Sequence, residues 1–257
     1  MSDLTPDPPQ SEHRISYHRE LDQLNEDVQR LGAMVSETVP RGTEVLLGGD
    51  LGKAQALVED DDEIDRFSVD IEERVYRTMA RQAPMASELR RLVTVLKLVG
   101  ELERSADLMV NISKAARRMY GEPLTPRVRG VVSAMSAEAL KLVNLSMEAF
   151  AEEDESLASA LADIDDRLDQ LNRDMVEVVF EAHAEQKIGI AAAVQLALIA
   201  RYYERIGDHA VNIGQRVTYM VTGWLPEHTG ALRAHARRQR AEEGSGGEAA
   251  GSTADEG

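Results

Sequence analysis

The sequence predicts an all-α protein built as two tandem, pseudo-symmetric three-helix bundles, and three observations carry that prediction. Apolar residues recur at helical spacing almost throughout residues 14–222. Aromatic residues make up only 4% of the chain while Ala, Leu, Val, Glu and Arg dominate, and no segment has the alternation of a strand. The second half also repeats the first at a nearly constant offset.

The Pro-rich residues 1–12 are expected to be a disordered tail, since they hold too little apolar surface to offset the entropy of ordering. A first helix is expected over 14–38, stopped by Pro40–Gly42. A second spans 43–82, kinked near Gly48 and closed by Pro84. The third, 85–119, ends at the Gly121–Pro126 break. The fourth, 126–151, stops at Glu152–Asp154, and the fifth, 155–185, at Lys187–Gly189. The sixth, 188–222, is terminated by Gly223 and Pro226. Residues 227–257 form a second tail, basic at Arg233, Arg237, Arg238 and Arg240, then acidic and Gly/Ser-rich. The basic cluster reads as a solvated helix end.

An offset of 101 lays ELERSADLMVNI (101–112) over YYERIGDHAVNI (202–213), with six identities within 103–112. That is far above what typical composition produces by chance. Upstream the best offset is 104, pairing Asp50 with Asp154, Asp62 with Asp166, Asp65 with Asp169, Asp70 with Asp174 and Glu73 with Glu177. The change falls at the turns near Pro84 and Lys187, where loops tolerate length differences. The repeats are therefore 13–121 and 122–226.

A formal net charge of -17 opposes nucleic acid or an anionic membrane as the main partner. The absence of cysteine excludes disulfides, thiolate metal sites and Cys nucleophiles. MSDLTPDPPQ lacks the basic start and apolar core of a signal peptide. The longest uncharged stretch, Ile188 to Ala200, falls well short of the ~20 apolar residues of a membrane span, so a cytoplasmic location is expected.

Within RYYERIGDHAVNIGQR (201–216), Glu204, Asp208 and Asn212 interrupt an apolar stretch at i, i+4 spacing, where like charges repel. Hairpin geometry suggests why. Long helices joined by a short turn pack antiparallel, so residues equally far from the turn lie side by side. From Pro84, Glu103 falls level with Asp65, and Asp107 with residue 61, next to Asp62. From Lys187, Asp208 falls level with Asp166, and Glu204 with residue 170, beside Asp169. Each hairpin thus gathers four carboxylates: Asp62, Asp65, Glu103 and Asp107, then Asp166, Asp169, Glu204 and Asp208.

Four converging like charges splay into water, take up protons, or are neutralised by a cation. Oxygen-only ligands suit Mg²⁺, Ca²⁺ and Mn²⁺, and carboxylate-rich bundles also hold iron, with Zn²⁺ a further candidate. The Glu-x-x-His pair of ferritin-like di-iron bundles is missing, so oxygen activation is not expected. A solvated acidic face remains the competing reading, because an isolated ExxxD is commonly just that. Arg104 and Arg205 are expected to pair with carboxylates of neighbouring helices. His209, opposite Leu108 in the other repeat, is expected to pack or form an interface, and His183 and His18 are equally unpaired. No Ser/His/Asp arrangement, P-loop or G-x-G-x-x-G marks a nucleophilic or nucleotide site, so no enzyme is expected.

At ERIGDHAVNI (204–213) the sequence resembles the PhoU family, whose members carry an E/D-x-x-x-D motif on the third helix of each of two three-helix bundles. ERSADLMVNI (103–112) is a looser copy, with Ser105 and Ala106 where Ile-Gly is common. The helix-two aspartates and Gly49-Asp50 also fit, and the resemblance spans roughly 14–225. It implies a cytoplasmic negative regulator of phosphate uptake and of the phosphate-starvation response, not an enzyme. Its partners would be the ATPase subunit of the phosphate ABC transporter and a phosphate-sensing histidine kinase, and it would meet the membrane only through them. The resemblance also implies a homodimer and divalent or trivalent metal ions (iron, zinc, manganese or magnesium) in multinuclear sites at Glu103, Asp107, Glu204 and Asp208. A metal-dependent hydrolase or metal-storage bundle is the alternative, and a purely structural bundle with solvated acidic stripes is a third.

Overall fold

The computed structural model describes residues 8–82 and 84–224, in six α-helices: α1 Pro8–Gly48, α2 Leu51–Gln82, α3 Ser87–Arg118, α4 Pro126–Glu152, α5 Glu155–Ala184 and α6 Ile190–Thr222. There is no strand among the described residues. The segments 1–7 and 225–257, with the basic cluster at Arg233, Arg237, Arg238 and Arg240, lie outside them.

The first helix departs from expectation at both ends. It begins at Pro8, within the segment expected to be tail, and it runs through Pro40 to Gly48 instead of stopping at 38. Proline removes one helical N–H and usually kinks or breaks a helix. Here Val39, Val45 and Leu46 on either side are buried, and that packing carries the helix past the defect. The chain turns instead at Gly49, which takes a left-handed φ of 67° that few other residues tolerate. Asp50 then caps α2, its Oδ1 accepting from the backbone N–H groups of Gly52 (2.9 Å) and Lys53 (3.1 Å). Asp154, its counterpart in the second repeat, caps α5 in the same way, accepting from Ser156 (2.8 Å) and Leu157 (3.0 Å).

α1, α2 and α3 pack on one another, as do α4, α5 and α6, and the units join where α3 lies on α6 and α1 on α4. α3 and α6 run antiparallel. Arg90 Nε donates to the Met220 carbonyl (3.4 Å) near one end, and Arg118 to Gln195 Oε1 (3.4 Å) near the other. The apolar cores do not respect the repeat boundary. One joins Leu57, Met109 and Ile112 to Leu142, Leu168 and Tyr203. The other joins Leu24, Leu31 and Ile71 to Phe150, Ile213 and Val217. Each repeat therefore completes the core of the other.

One polar knot crosses this seam. Thr43 Oγ1 of α1 lies 2.7 Å from both Tyr203 Oη of α6 and Ser136 Oγ of α4, with all three residues buried. Replacing Tyr203 by Phe removes one buried partner and leaves the Thr43–Ser136 bond. The expected loss is about 1 kcal/mol of unfolding free energy in urea titration, with helical content unchanged.

Candidate functional site

Acidic side chains of paired helices act on one another in both repeats, with an inner aspartate other than the one expected in each, and with Glu204 paired to Arg201 and absent from the charges acting on Asp165 and Asp208. In the first, α2 and α3 make Asp61, Asp65, Glu103 and Asp107 electrostatic neighbours. Asp61, the residue level with Asp107, takes the inner place expected of its neighbour Asp62, which is exposed and adds its charge to Asp65. In the second repeat Asp165 is the inner residue, beside Asp169, Asp208 and the exposed Asp166. Asp61 and Asp165 correspond under the same 104-residue offset, so the repeat itself contained the signal. The helix period accounts for the choice: a carboxylate one residue away points about 100° around the helix.

Burial is the main force on these groups and mutual repulsion the second. It pushes Asp61 up to about 6, with Asp65, Asp107 and Glu103 adding to the shift and Lys114 opposing it. Asp65 is raised by burial and then by Asp107, and Glu103 by burial and then by Asp107 and Asp65. Asp165 is pushed up to about 7 by burial, then by Asp169, Asp208 and Asp166. Its side chain is only 9% exposed, and Oδ1 has no hydrogen-bond partner. Asp208 is raised by burial against the opposing pull of Arg201.

The depth of Asp165 depends on a glycine. A Cβ at Gly207 would stand 2.2 Å from Asp165 Oδ1 and 2.9 Å from Leu168 Cδ2. The first repeat carries Ala106 at the equivalent position, and its inner carboxylate, Asp61, is only half-buried.

The basic residues differ from expectation. Arg104 pairs with Glu101 on its own helix (2.7 Å), not with a neighbouring one. Arg201, which the motif did not single out, ion-pairs with Glu204 and lies 3.8 Å from Asp208 Oδ2. Arg205 acts on Asp208 and His209 through its charge. Asn212 has drifted off the carboxylate face, as a stripe of period four does on a 3.6-residue helix. Its Nδ2 reaches Glu101 Oε2 of α3 at 3.5 Å.

His209 is an interface residue, as expected. It is buried between α6 and α3, and desolvation drives its pKa down to about 4 against the pull of Glu101. Ser105 Oγ donates to the Glu101 carbonyl (2.8 Å), which leaves its lone pair to accept from His209 Nδ1 (3.0 Å). That assigns a neutral imidazole protonated on Nδ1. His183 and His18 donate to the carbonyls of Ile188 (3.1 Å) and Arg14 (2.8 Å).

The second cluster opens into a concavity of about 660 Å³ lined by Asp165, Arg201, Arg205, Asp208, His209 and Asn212. Its oxygen donors match the chemistry of hard cations, and the partnerless buried Asp165 Oδ1 faces neighbours of its own charge. The side chains do not converge into a cage, and no group of three or more His, Cys, Asp or Glu among the described residues is placed to hold a metal. Ligation would therefore require the carboxylates to change rotamer.

These shifts fix a pH dependence. An unfolded Asp titrates near ~3.9, while folded Asp165 holds its proton to about 7. Between those values the folded state retains a proton that the unfolded state has lost, so stability falls as pH rises and levels off above about 7. In chelator, Asp165→Asn is expected to melt above wild type at pH 8, with the gap closing toward pH 4 in thermal scans. Gly207→Ala is expected to lose about 1–3 kcal/mol in urea titration by overpacking against Asp165 and Leu168.

The family described as PhoU domain matches this chain over residues 28–116 and 132–217, one match per repeat. The phosphate-specific transport system accessory protein PhoU homolog 2 of Mycobacterium tuberculosis is 33% identical over 214 residues, which are 83% of this chain and 100% of that protein. PhoU homolog 1 of Thermotoga maritima, likewise a phosphate-specific transport system accessory protein, is 34% identical over 209 residues, 81% of this chain and 90% of its own. The crystal structure of PhoU from Pseudomonas aeruginosa superposes with a TM-score of 0.76 at 30% identity, covering 81% of this chain and 100% of that one. With six helices in two repeats, duplicated carboxylate clusters and these matches, the chain belongs to the PhoU family.

Proposed function

We propose that this protein is an accessory regulator of phosphate-specific transport, a negative regulator of phosphate uptake and of the phosphate-starvation response. The observation that carries the reading is family membership over both repeats, with relatives named as accessory proteins of phosphate-specific transport. In this reading it is a cytoplasmic adaptor, not an enzyme. It couples the ATPase subunit of a phosphate ABC transporter to a phosphate-sensing histidine kinase, and works as a homodimer. No described helix is long and apolar enough to cross a membrane, so contact with the membrane is assigned to its partners.

The carboxylate clusters are assigned to metal ions, held by Asp61, Asp65, Glu103 and Asp107 in one repeat and by Asp165, Asp169, Glu204 and Asp208 in the other, with Asp62 and Asp166 at the rims. A bound cation neutralises the acidic face. The chain's own part is to hold these oxygens at the edges of two helix pairs. Arg201 withholds Glu204 until it is released, and Gly207 leaves room for Asp165.

Deleting the gene is expected to derepress phosphate-starvation promoters in phosphate-rich medium, and unchanged reporter output would remove the regulatory reading. For the metal, thermal melting of the full chain with Mn²⁺ or Fe²⁺ is expected to show stabilisation, about 2.7 kcal/mol at a hundred times Kd. That gain should vanish in Asp65→Asn/Asp107→Asn combined with Asp169→Asn/Asp208→Asn. A melting curve insensitive to every metal, with no metal by elemental analysis, would leave the clusters as solvated faces. The hydrolase alternative would require phosphatase turnover lost in Asp208→Asn.

A further inference from the structure

The outer face of the α5–α6 hairpin carries an apolar strip that the core does not use. Ile190, Val194 and Leu198 follow one another at i, i+4 on α6 and are 64%, 50% and 40% exposed. Val176 and Phe180, spaced the same way on α5, are 38% and 70% exposed. Together they present on the order of 400 Å² of apolar surface, in the range of patches that mark interaction sites.

Beside the strip lies a basic cluster. Lys114, Arg117 and Arg118, in the last turns of α3, line a concavity of about 340 Å³. The bond from Arg118 to Gln195 (3.4 Å) brings this end of α3 against α6, next to Val194 and one turn from Leu198. Among the described residues none of the three cations forms an ion pair, in a chain of net charge -17. Lys114 acts on the Asp61 carboxyl of the first acidic cluster and Arg118 bonds Gln195, so the basic edge borders that cluster on one side and the apolar strip on the other.

The two repeats share these features unequally. Under the repeat offsets Ile190, Val194 and Phe180 answer to Leu89, Val93 and Tyr76, which are also apolar, but Leu198 answers to Lys97 and Val176 to Glu72, so charges interrupt the strip in the first hairpin. Lys114, Arg117 and Arg118 answer to Gln215, Thr218 and Tyr219, so the second repeat lacks the cations. A duplication that preserved its carboxylates has left the apolar strip uninterrupted in one copy and a basic edge in the other, and the antiparallel α3–α6 packing brings the two together.

We propose that this composite surface docks an acidic amphipathic helix of a partner protein. The helix lays apolar side chains at i, i+3/i+4 and i+7 along Ile190, Val194 and Leu198 and points carboxylates at Lys114, Arg117 and Arg118. The area suits one helix. It is about half of the ~800 Å² per partner that a standard protein interface buries. An acidic helix is favoured over a second copy because the strip is one helix wide and is flanked by cations that a row of carboxylates would meet. The apolar strip lies outside the carboxylate clusters, and the basic edge borders the first of them through Lys114 and Asp61. Together they give the proposed adaptor role a contact site, yet the test does not depend on that role.

The probe is a fluorescein-labelled 18-residue peptide of Leu, Ala and Glu in helical heptads, with a twin carrying Lys for Glu, titrated with the full chain by anisotropy. The acidic peptide is expected to bind at least tenfold tighter than its twin and to weaken as salt rises. Val194→Asp, Leu198→Gln and the pair Arg117→Ala/Arg118→Ala are each expected to weaken it at least tenfold, while Tyr76→Asp on the first hairpin leaves it unchanged. Should Val194→Asp disturb the fold by circular dichroism, Leu198→Gln carries the test. Equal binding of the two peptides, no binding of the acidic one, or wild-type affinity in both strip variants overturns the proposal. So does light scattering that shows a dimer converted to monomer by Leu198→Gln, which would make a second copy the occupant. Reporter output in the deletion strain is independent of these results, so failure of the surface and failure of the regulatory role are separable.

Discussion

Carboxylate facing carboxylate across the α2–α3 and α5–α6 seams is the constraint on which the rest of this structure depends. Asp61 and Asp165 sit where water is scarce and where the nearest charges share their sign. Each pKa unit by which such a group is raised represents about 1.4 kcal/mol held against folding at neutral pH, an upper bound where solvent screens it. The apolar cores on both sides supply the opposing free energy, which is why the clusters lie at the edges of long, well-buried helices and not on loops.

Those cores are shared, and sharing makes the repeats interdependent. Met109 and Ile112 of α3 pack in a cluster dominated by the second repeat, while Ile213 and Val217 of α6 pack in one dominated by the first. The Tyr203–Thr43–Ser136 knot ties α6, α1 and α4 at the same boundary. His209 of α6 meets Ser105 of α3, whose hydroxyl in turn bonds the Glu101 carbonyl, so a polar contact as well as apolar packing joins the repeats.

The duplication keeps the helix-capping aspartates and the clustered carboxylates and diverges elsewhere. Asp50 and Asp154 cap equivalent helices, and the inner aspartates correspond. Gly207 against Ala106 decides how deeply each inner carboxylate sinks, and His209 against Leu108 makes one side of the α3–α6 crossing polar. The unpaired cations of α3 and the exposed aliphatics of α6 extend this divergence to the surface. Two copies of one scaffold present different faces.

The helical period, the repeat offset and the turn residues sufficed for the number and order of the helices among the described residues, their pairing and the approximate height at which acidic groups meet, because antiparallel hairpins convert sequence distance into spatial level. Residues 43–48, expected in α2, belong to α1. The same signals did not suffice to choose the inner aspartate. The level of Asp107 falls on residue 61 yet Asp62 is the residue expected, and the level of Asp208 falls on Asp166 where Asp165 is buried. Residues one apart share a level, and only the packed orientation of each helix selects which points inward. Pro40 misled for a related reason, since local propensity argues for a break that buried Val39, Val45 and Leu46 override. The contact of His209 with Ser105, the cramped cradle at Gly207 against Asp165 and the bond of Arg118 to Gln195 join atoms brought together by packing between helices. Composition and periodicity are properties of the chain taken along its length, whereas those contacts exist only once two helices have settled their rotation against each other.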